Sequence, residues 1–393
     1  MRPLTLSELA EASIIDPKSF PPFDKARRYF SPMNVRDFLP SQVTVVYSED
    51  SDSSTSWNEE NDSIKTGEVG QKRYTIRLAH FSVKEYLVSD RMRASRYSIK
   101  EITANISIAE TCLLYLLQFD KPDSLNSRTL EELPLVRYAA KYWTQHARWA
   151  GEDAIAFHLL IMGFFLSKRD ICVNWVRLFN PEEPWNEPNT TKGLKSVASP
   201  LYYASLTGLI ESVRMLLQNG ADVNAQGGRY GNALHAASAG GHDQIVQRLL
   251  EKGADVNAQG GDYGDALRAA SARGHDQIVQ RLLEKGADVN AQGGRYGDAL
   301  QAASAEGHDQ IVQRLLEKGA DVNAQGGHYG NALYAASAGG HDQIVQRLLE
   351  KGADVNAQGG DYGDALRAAS ARGHDQIVQR LKSAHNLVRV IDS

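Results

Sequence analysis

The sequence predicts a mainly α-helical chain: an N-terminal α+β module, a helical linker, and a C-terminal solenoid of stacked two-helix repeats. Three observations predict it. Tyr230, Tyr263, Tyr296, Tyr329 and Tyr362 recur every 33 residues, and nearly every residue between them recurs as well. All five tryptophans lie before residue 190, where that period is absent. Within the first 100 residues, helix-start spacings and two β-rich runs surround a long polar segment.

Composition sets outer limits. The chain has 393 residues, 42% apolar and 23% charged, which suits two or three structural units with real cores. A net charge of −5 gives no overall pull toward nucleic acid or anionic membranes. Cys112 and Cys172 provide neither a disulfide framework nor a CxxC pair, which fits a reducing setting. The N-terminal MRPLTLSELAEASIID lacks the apolar core of a secretory leader. The longest apolar run, residues 154–166, is shorter than the roughly 20 residues that cross a bilayer and reads as a buried helix. The expected location is cytoplasmic, with nuclear residence as a secondary possibility and no membrane association.

The repeat, YGNALHAASAGGHDQIVQRLLEKGADVNAQGG in its second copy, reads as two short antiparallel helices and an extended loop. A more divergent copy begins at Ser199, making six units over 199–383, followed by a tail at 384–393. Ser199 before Pro200 is a helix start, and Asn232, Asp265, Asp298, Asn331 and Asp364 stand at the same place in later units. Ala233, Ala236 and Ala237 let helices approach closely. Ile245, Val246, Leu249 and Leu250 form one apolar face, and Gly253 ends the second helix. Such units are stable only when stacked. Lys382 replaces the leucine of earlier units at the end of the array.

Variation among units two to six falls on four places. The first is Arg229, Asp262, Arg295, His328 and Asp361, just before Tyr-Gly. The second is the Asn/Asp helix start. The third is His235, Arg268, Gln301, Tyr334 and Arg367, in the first helix. The fourth is Gly240, Arg273, Glu306, Gly339 and Arg372, at its end. A constant apolar frame with exchanged charged and aromatic residues suits recognition of a protein partner. Drift after duplication is the alternative, because units three and six are identical over 261–282 and 360–381.

The repeat resembles the ankyrin consensus at AA, GH, IV, LL and GADVNA. The resemblance implies that the loop and first helix line a concave binding face. Exposed contact residues there would be Arg229, His235, Asp262, Arg268, Arg273, Arg295, Gln301, Glu306, His328, Tyr334, Asp361, Arg367 and Arg372.

In residues 1–100, Thr5 with Glu8 and Ser82 with Glu85 have capping-box spacing, as does Thr129 with Glu132 in the linker at 101–190. Ser31-Pro32 is another expected helix start, and QVTVVY and RYTIRLAH read as strands. Residues 49–62 carry six acidic and no basic residues and read as a solvated loop. This order suits a winged-helix-like module with a lengthened acidic wing. RPLTLSELAEA, IRLAHFSVKEYLVSDR, IAETCLLYLLQFD and PLVRYAAKYWTQHAR look like the region following the NACHT nucleotide-binding domain of fungal NLR-like (STAND) proteins. That resemblance implies an upstream NACHT domain, or a separate NACHT protein, as partner. The chain itself lacks the GxxxxGK[ST] phosphate loop, so no cofactor is expected and the chain reads as a C-terminal part of that architecture.

Sharper chemical readings are weaker. His242, His275, His308, His341 and His374 suggest a metal array, but helices about 8–10 Å apart are too distant to share an ion, and a helix-start role is expected. Asp243 and its copies read as first-turn carboxylates. Cys112 with His146 reads as core packing rather than as a nucleophile and base, and Tyr142, Trp143 and Trp149 as interhelical packing. DNA binding through the winged-helix-like region is the main alternative, disfavoured by the acidic wing.

Overall fold

The computed structural model describes residues 6–16, 22–23, 100–121, 124–125, 127–166, 169–189 and 197–391, and the backbone alone of strands at 43–48 and 73–78. The chain divides into two compact units, Met1–Asn180 with Trp185–Thr191, and Pro181–Pro184 with Lys192–Ser393.

The first unit contains helix α1 (Leu6–Ala12) and strands β1 (Val43–Ser48) and β2 (Arg73–Leu78). The strands pair antiparallel, Val43 opposite Leu78 and Ser48 opposite Arg73, as their β-branched composition predicts. The helix starts at Ser31-Pro32 and Ser82 and the acidic segment 49–62 lie outside the described residues. Then follow α2 (Glu101–Leu116), α3 (Ser127–Glu132), α4 (Val136–Ala147), α5 (Ile155–Leu166) and α6 (Arg169–Leu178). Their core is aromatic. Trp143 and Trp175 are buried with ring centroids 5.5 Å apart, and Phe164 lies 5.1 Å from Trp143. The Trp175 indole donates to the Ala140 carbonyl at 2.8 Å, so its polar edge is satisfied inside the core.

Three expectations are corrected here. Thr129 lies inside α3, not ahead of it. Trp149 is exposed, because it falls in the turn after α4. Helix α5 is buried on one side only: Phe157, Ile161, Phe164 and Phe165 face inward, while Ile155, Leu159 and Leu166 are exposed. An unbroken apolar run carries no periodicity from which to tell which side faces the core.

The second unit holds six helix pairs: α7 (Pro200–Leu206) with α8 (Ile210–Gln218), α9 (Ala233–Gly240) with α10 (Asp243–Glu251), and α11 (Ala266–Arg273) with α12 (Asp276–Glu284). They continue as α13 (Ala299–Glu306) with α14 (Asp309–Glu317), α15 (Ala332–Gly339) with α16 (Asp342–Glu350), and α17 (Ala365–Ala371) with α18 (Asp375–Ile391). Each first helix begins as its sequence predicts. Ser199, Asn232, Asp265, Asp298, Asn331 and Asp364 have extended backbones, and their side chains accept from the N–H three residues on. Gly241 ends α9 at φ 73°, a left-handed conformation, and a Cβ there would meet the ring of His275 in the next unit. After α10, Ala254 N–H returns to Leu249 C=O and Gly253 N–H to Leu250 C=O, the paired bonds of a Schellman cap.

Ile245, Val246 and Leu249 are fully buried with the alanines of α9, whereas Leu250 is half-buried. Burial of each such side chain is worth roughly 1.5–3 kcal/mol. In the sixth unit His385 stands where Gly220, Gly253, Gly286, Gly319 and Gly352 adopt φ of 80° to 89° in earlier units. Without that glycine α18 runs on to Ile391, so residues 384–391 extend the last helix instead of forming a separate tail.

Candidate functional site

The six units are joined by polar ladders that the sequence pattern did not foretell. Asp243 takes a bidentate contact from Arg281 of the following unit at 2.9 Å, and Asp276–Arg314, Asp309–Arg347 and Asp342–Arg380 repeat it. The Arg380 hydrogen bond, ahead of that guanidinium's charge, holds the Asp342 carboxyl below its usual range. The first-turn aspartates therefore face a guanidinium as well as a helix terminus. The repeated histidines form a second ladder. Nε2 of His242, His275, His308, His341 and His374 meets the carbonyl of Leu206, Ala239, Ala272, Ala305 and Ala338, at 3.0 to 3.4 Å. Their role is to satisfy the ends of the preceding first helices. Among the described residues no group of three or more His, Cys, Asp or Glu is arranged to hold a metal ion.

The third variable place is not at the surface, and the expectation that it offers contacts is corrected for four of its five residues. His235, Arg268 and Gln301 are 0% exposed and Tyr334 is 3% exposed. Each reaches into the loop that follows its own helix pair. His235 Nε2 lies 3.0 Å from the Ala258 carbonyl, Arg268 Nη1 donates to Gly297 at 2.8 Å, Gln301 Nε2 donates to Ala324 at 3.3 Å, and the Tyr334 hydroxyl accepts from Tyr362 N–H at 3.1 Å. Tyr202 holds this place in the first unit and accepts from Tyr230 N–H at 3.1 Å. Arg367 has no such loop after its helix pair, because α18 runs on to Ile391, and its side chain is 72% exposed. The reason is geometric. A first helix of about two turns, packed on both sides by its neighbours, has no outward side except its end.

Burial lowers the pKa of His235, against the opposing effect of its carbonyl hydrogen bonds, and burial likewise lowers that of His275. The folded array therefore binds fewer protons than the unfolded chain below the ordinary histidine pKa of about 6.5. Stability is full above that pH and is lost as pH falls below it. The urea midpoint is expected to drop between about pH 7 and pH 5, and His235→Gln, which copies Gln301 of unit four, should remove part of the slope.

The first and fourth places, by contrast, are open, and a column of tyrosines runs between them. Tyr230, Tyr263, Tyr296 and Tyr329 stack with ring centroids 5.8, 5.9 and 6.2 Å apart. Tyr362 is exposed and stacks on none of them among the described contacts. The Arg273 guanidinium lies 6.0 Å from the Tyr263 ring, and the Tyr296 hydroxyl donates to Glu306 at 2.9 Å. Along the loop tips Arg229 pairs with Asp262 at 2.6 Å, and His328 lies 3.8 Å from Asp361. Arg295 is in no ion pair among the described residues, and Arg372 is exposed beside the last loop. By sequence the tyrosines are markers of the period; the contacts of Tyr263 with Arg273 and of Tyr296 with Glu306, both at the fourth place, make them part of the face.

In the N-terminal compact unit, His146 bonds the Tyr138 hydroxyl at 3.2 Å and Asn105 at 2.7 Å rather than Cys112. Burial pushes the Cys112 and Cys172 thiols up to about 12, so neither offers a thiolate near neutrality. Among the described residues no helix is long and apolar enough to cross a membrane.

The fold of the second unit defines a class, the tandem helix-pair solenoid. Residues 201–293, 234–326, 267–359 and 300–390 each match the family model of ankyrin repeats (three copies). Residues 201–390 are therefore an ankyrin-repeat array. The chain is also 37% identical over 249 residues to the azaphilone pigments biosynthesis cluster protein L of Monascus ruber, covering 60% of this chain and 49% of that protein. It thus spans about half the length of the relative it matches. A crystal structure of the human ASB11 ankyrin repeat domain aligns with a TM-score of 0.43 and 28% identity, over 47% of this chain and 83% of that chain.

Proposed function

We propose that this chain is a non-enzymatic protein-interaction scaffold whose loop-tip and first-helix face grips a protein partner. The observation that carries the reading is the placement of variation. Charged residues change at the first and fourth places, which are exposed, around a constant tyrosine column. The Monascus ruber relative supports a fungal setting, and the resemblance of the N-terminal segments supports a sensor or regulator of NACHT/NLR-like type acting in the cytoplasm. An upstream NACHT domain or a separate NACHT protein then supplies the nucleotide switch. The DNA-binding alternative runs through the winged-helix-like region, and the acidic wing that counts against it lies outside the described residues.

Placing a photocrosslinking amino acid at Arg295 or Asp361, and as controls at Gln247 or Gln280 on the second helices, tests the reading in fungal extract. The face positions should crosslink one common protein and the controls should not. Equal crosslinking from both sets would overturn it.

A further inference from the structure

Resting on that reading of the face, we infer that the segment it grips is an extended strand carrying opposite charges two residues apart. The face has its own ruler. Asp262 N–H donates to Arg229 C=O at 2.9 Å, Arg295 N–H to Asp262 C=O at 3.2 Å, and His328 N–H to Arg295 C=O at 2.9 Å. The loop tips of four units are thus joined in one main-chain ladder, and the tyrosines beside them step by 5.8, 5.9 and 6.2 Å.

Side chains on one side of a strand repeat every two residues, about 6.6 Å, and less when the strand is twisted. A strand lying along the face therefore presents one side chain per unit, drifting by only about 2 Å across four units and less when twisted. The alternatives fit less well. Helical residues four apart advance about 6.0 Å but rotate by about 40° each step, leaving the face within three units. A polyproline helix repeats about every 9.3 Å and falls between units.

Charge order then chooses the residues. The tips read Arg229, Asp262, Arg295, with alternating sign. Arg229 and Asp262 partly neutralise each other, while Arg295 is exposed and in no ion pair among the described residues. An acidic side chain belongs over Arg295 and a basic one, two residues away, over Asp262, whose side chain is 55% exposed. The main-chain groups of the tips already serve their own ladder, so recognition is by side chains.

Fluorescence anisotropy on the full chain tests this with three synthetic peptides of equal charge. One alternates Lys and Glu every second residue on a threonine background, one spaces them four apart on alanine, and one three apart on proline. The first should bind at least about tenfold more tightly than the others. Arg295→Glu should weaken it by a similar factor without altering the circular-dichroism spectrum, and exchanging the peptide's Glu for Lys should restore it. Equal binding of the three, or binding of the first that ignores Arg295→Glu, overturns the inference. If crosslinks from the face persist while the peptides show no spacing preference, the scaffold reading stands and the strand reading falls.

Discussion

Arg268→Ala is expected to destabilise the array by about 3–5 kcal/mol, whereas Arg367→Ala should change stability by no more than about 0.5 kcal/mol. The two arginines sit in identical sequence, residues 261–282 and 360–381, so helix propensity and capping cancel in the comparison. What differs is the loop after the helix pair, present beyond α12 and replaced by continued helix beyond Arg367. Arg268 is enclosed, its Nη1 on Gly297 and its Nη2 on Gln259 at 2.8 Å and on Asp265 at 2.7 Å. Truncation leaves Asp265, itself 4% exposed, without its counter-charge and leaves a loop carbonyl without a donor. Arg367, with its side chain 72% exposed, meets Asp364 at 3.3 Å, a pairing of little worth. Urea titrations of the two variants decide the matter. Because a linear array loses cooperativity where one junction weakens, Arg268→Ala should also split the transition into two steps.

Tyr202→Phe, which deletes one oxygen, should cost about 2–3 kcal/mol, against about 1 kcal/mol for Tyr334→Phe. Both hydroxyls accept a backbone N–H from the following loop, at 3.1 Å. Only Tyr202 also donates to a buried carboxylate, Glu182, at 2.6 Å, and that same carboxylate accepts from Arg229 N–H. Burial, then the Glu182 charge, holds the Tyr202 hydroxyl well above the ordinary phenol range. Losing it takes one donor from that buried carboxylate as well as the acceptor of the Tyr230 amide. Thermal or urea unfolding of the two variants measures the difference, and equal losses would show that Glu182 contributes nothing at this junction.

These contrasts explain what was legible in the sequence. The period, the helix caps and the apolar positions were, because each is local: Asn232 bonds the N–H of His235, three residues on, and Gly253 closes the turn it belongs to. The role of the third place was not, because a polar residue in a short helix looks like a surface residue, and its partners lie 23 to 29 residues away in the next loop. One signal was present. Ala233, Ala236, Ala237 and Ser238 are all small, which marks a helix packed on both sides and leaves only its end, the fourth place, to solvent. Arg367 was legible as exposed for the wrong reason. Its exposure comes from the absence of a covering loop after α18, which runs on to Ile391, not from its place in the unit. The tyrosine column shows the converse. Invariance argued for scaffold, yet stacking along one edge places Tyr263 and Tyr296 beside the variable Arg273 and Glu306.

The division of the variable residues into internal joints and an outward face is tested most directly by nitration of the native chain with tetranitromethane. Tyr329 and Tyr334 lie five residues apart in a segment that occurs once in the sequence, so a single peptide reports on both. Tyr329, half-buried at the edge of the column, should be modified, and Tyr334, enclosed at the joint with its hydroxyl on Tyr362, should be protected until the array unfolds. Modification of Tyr334 as fast as Tyr329 in the folded chain would contradict the account.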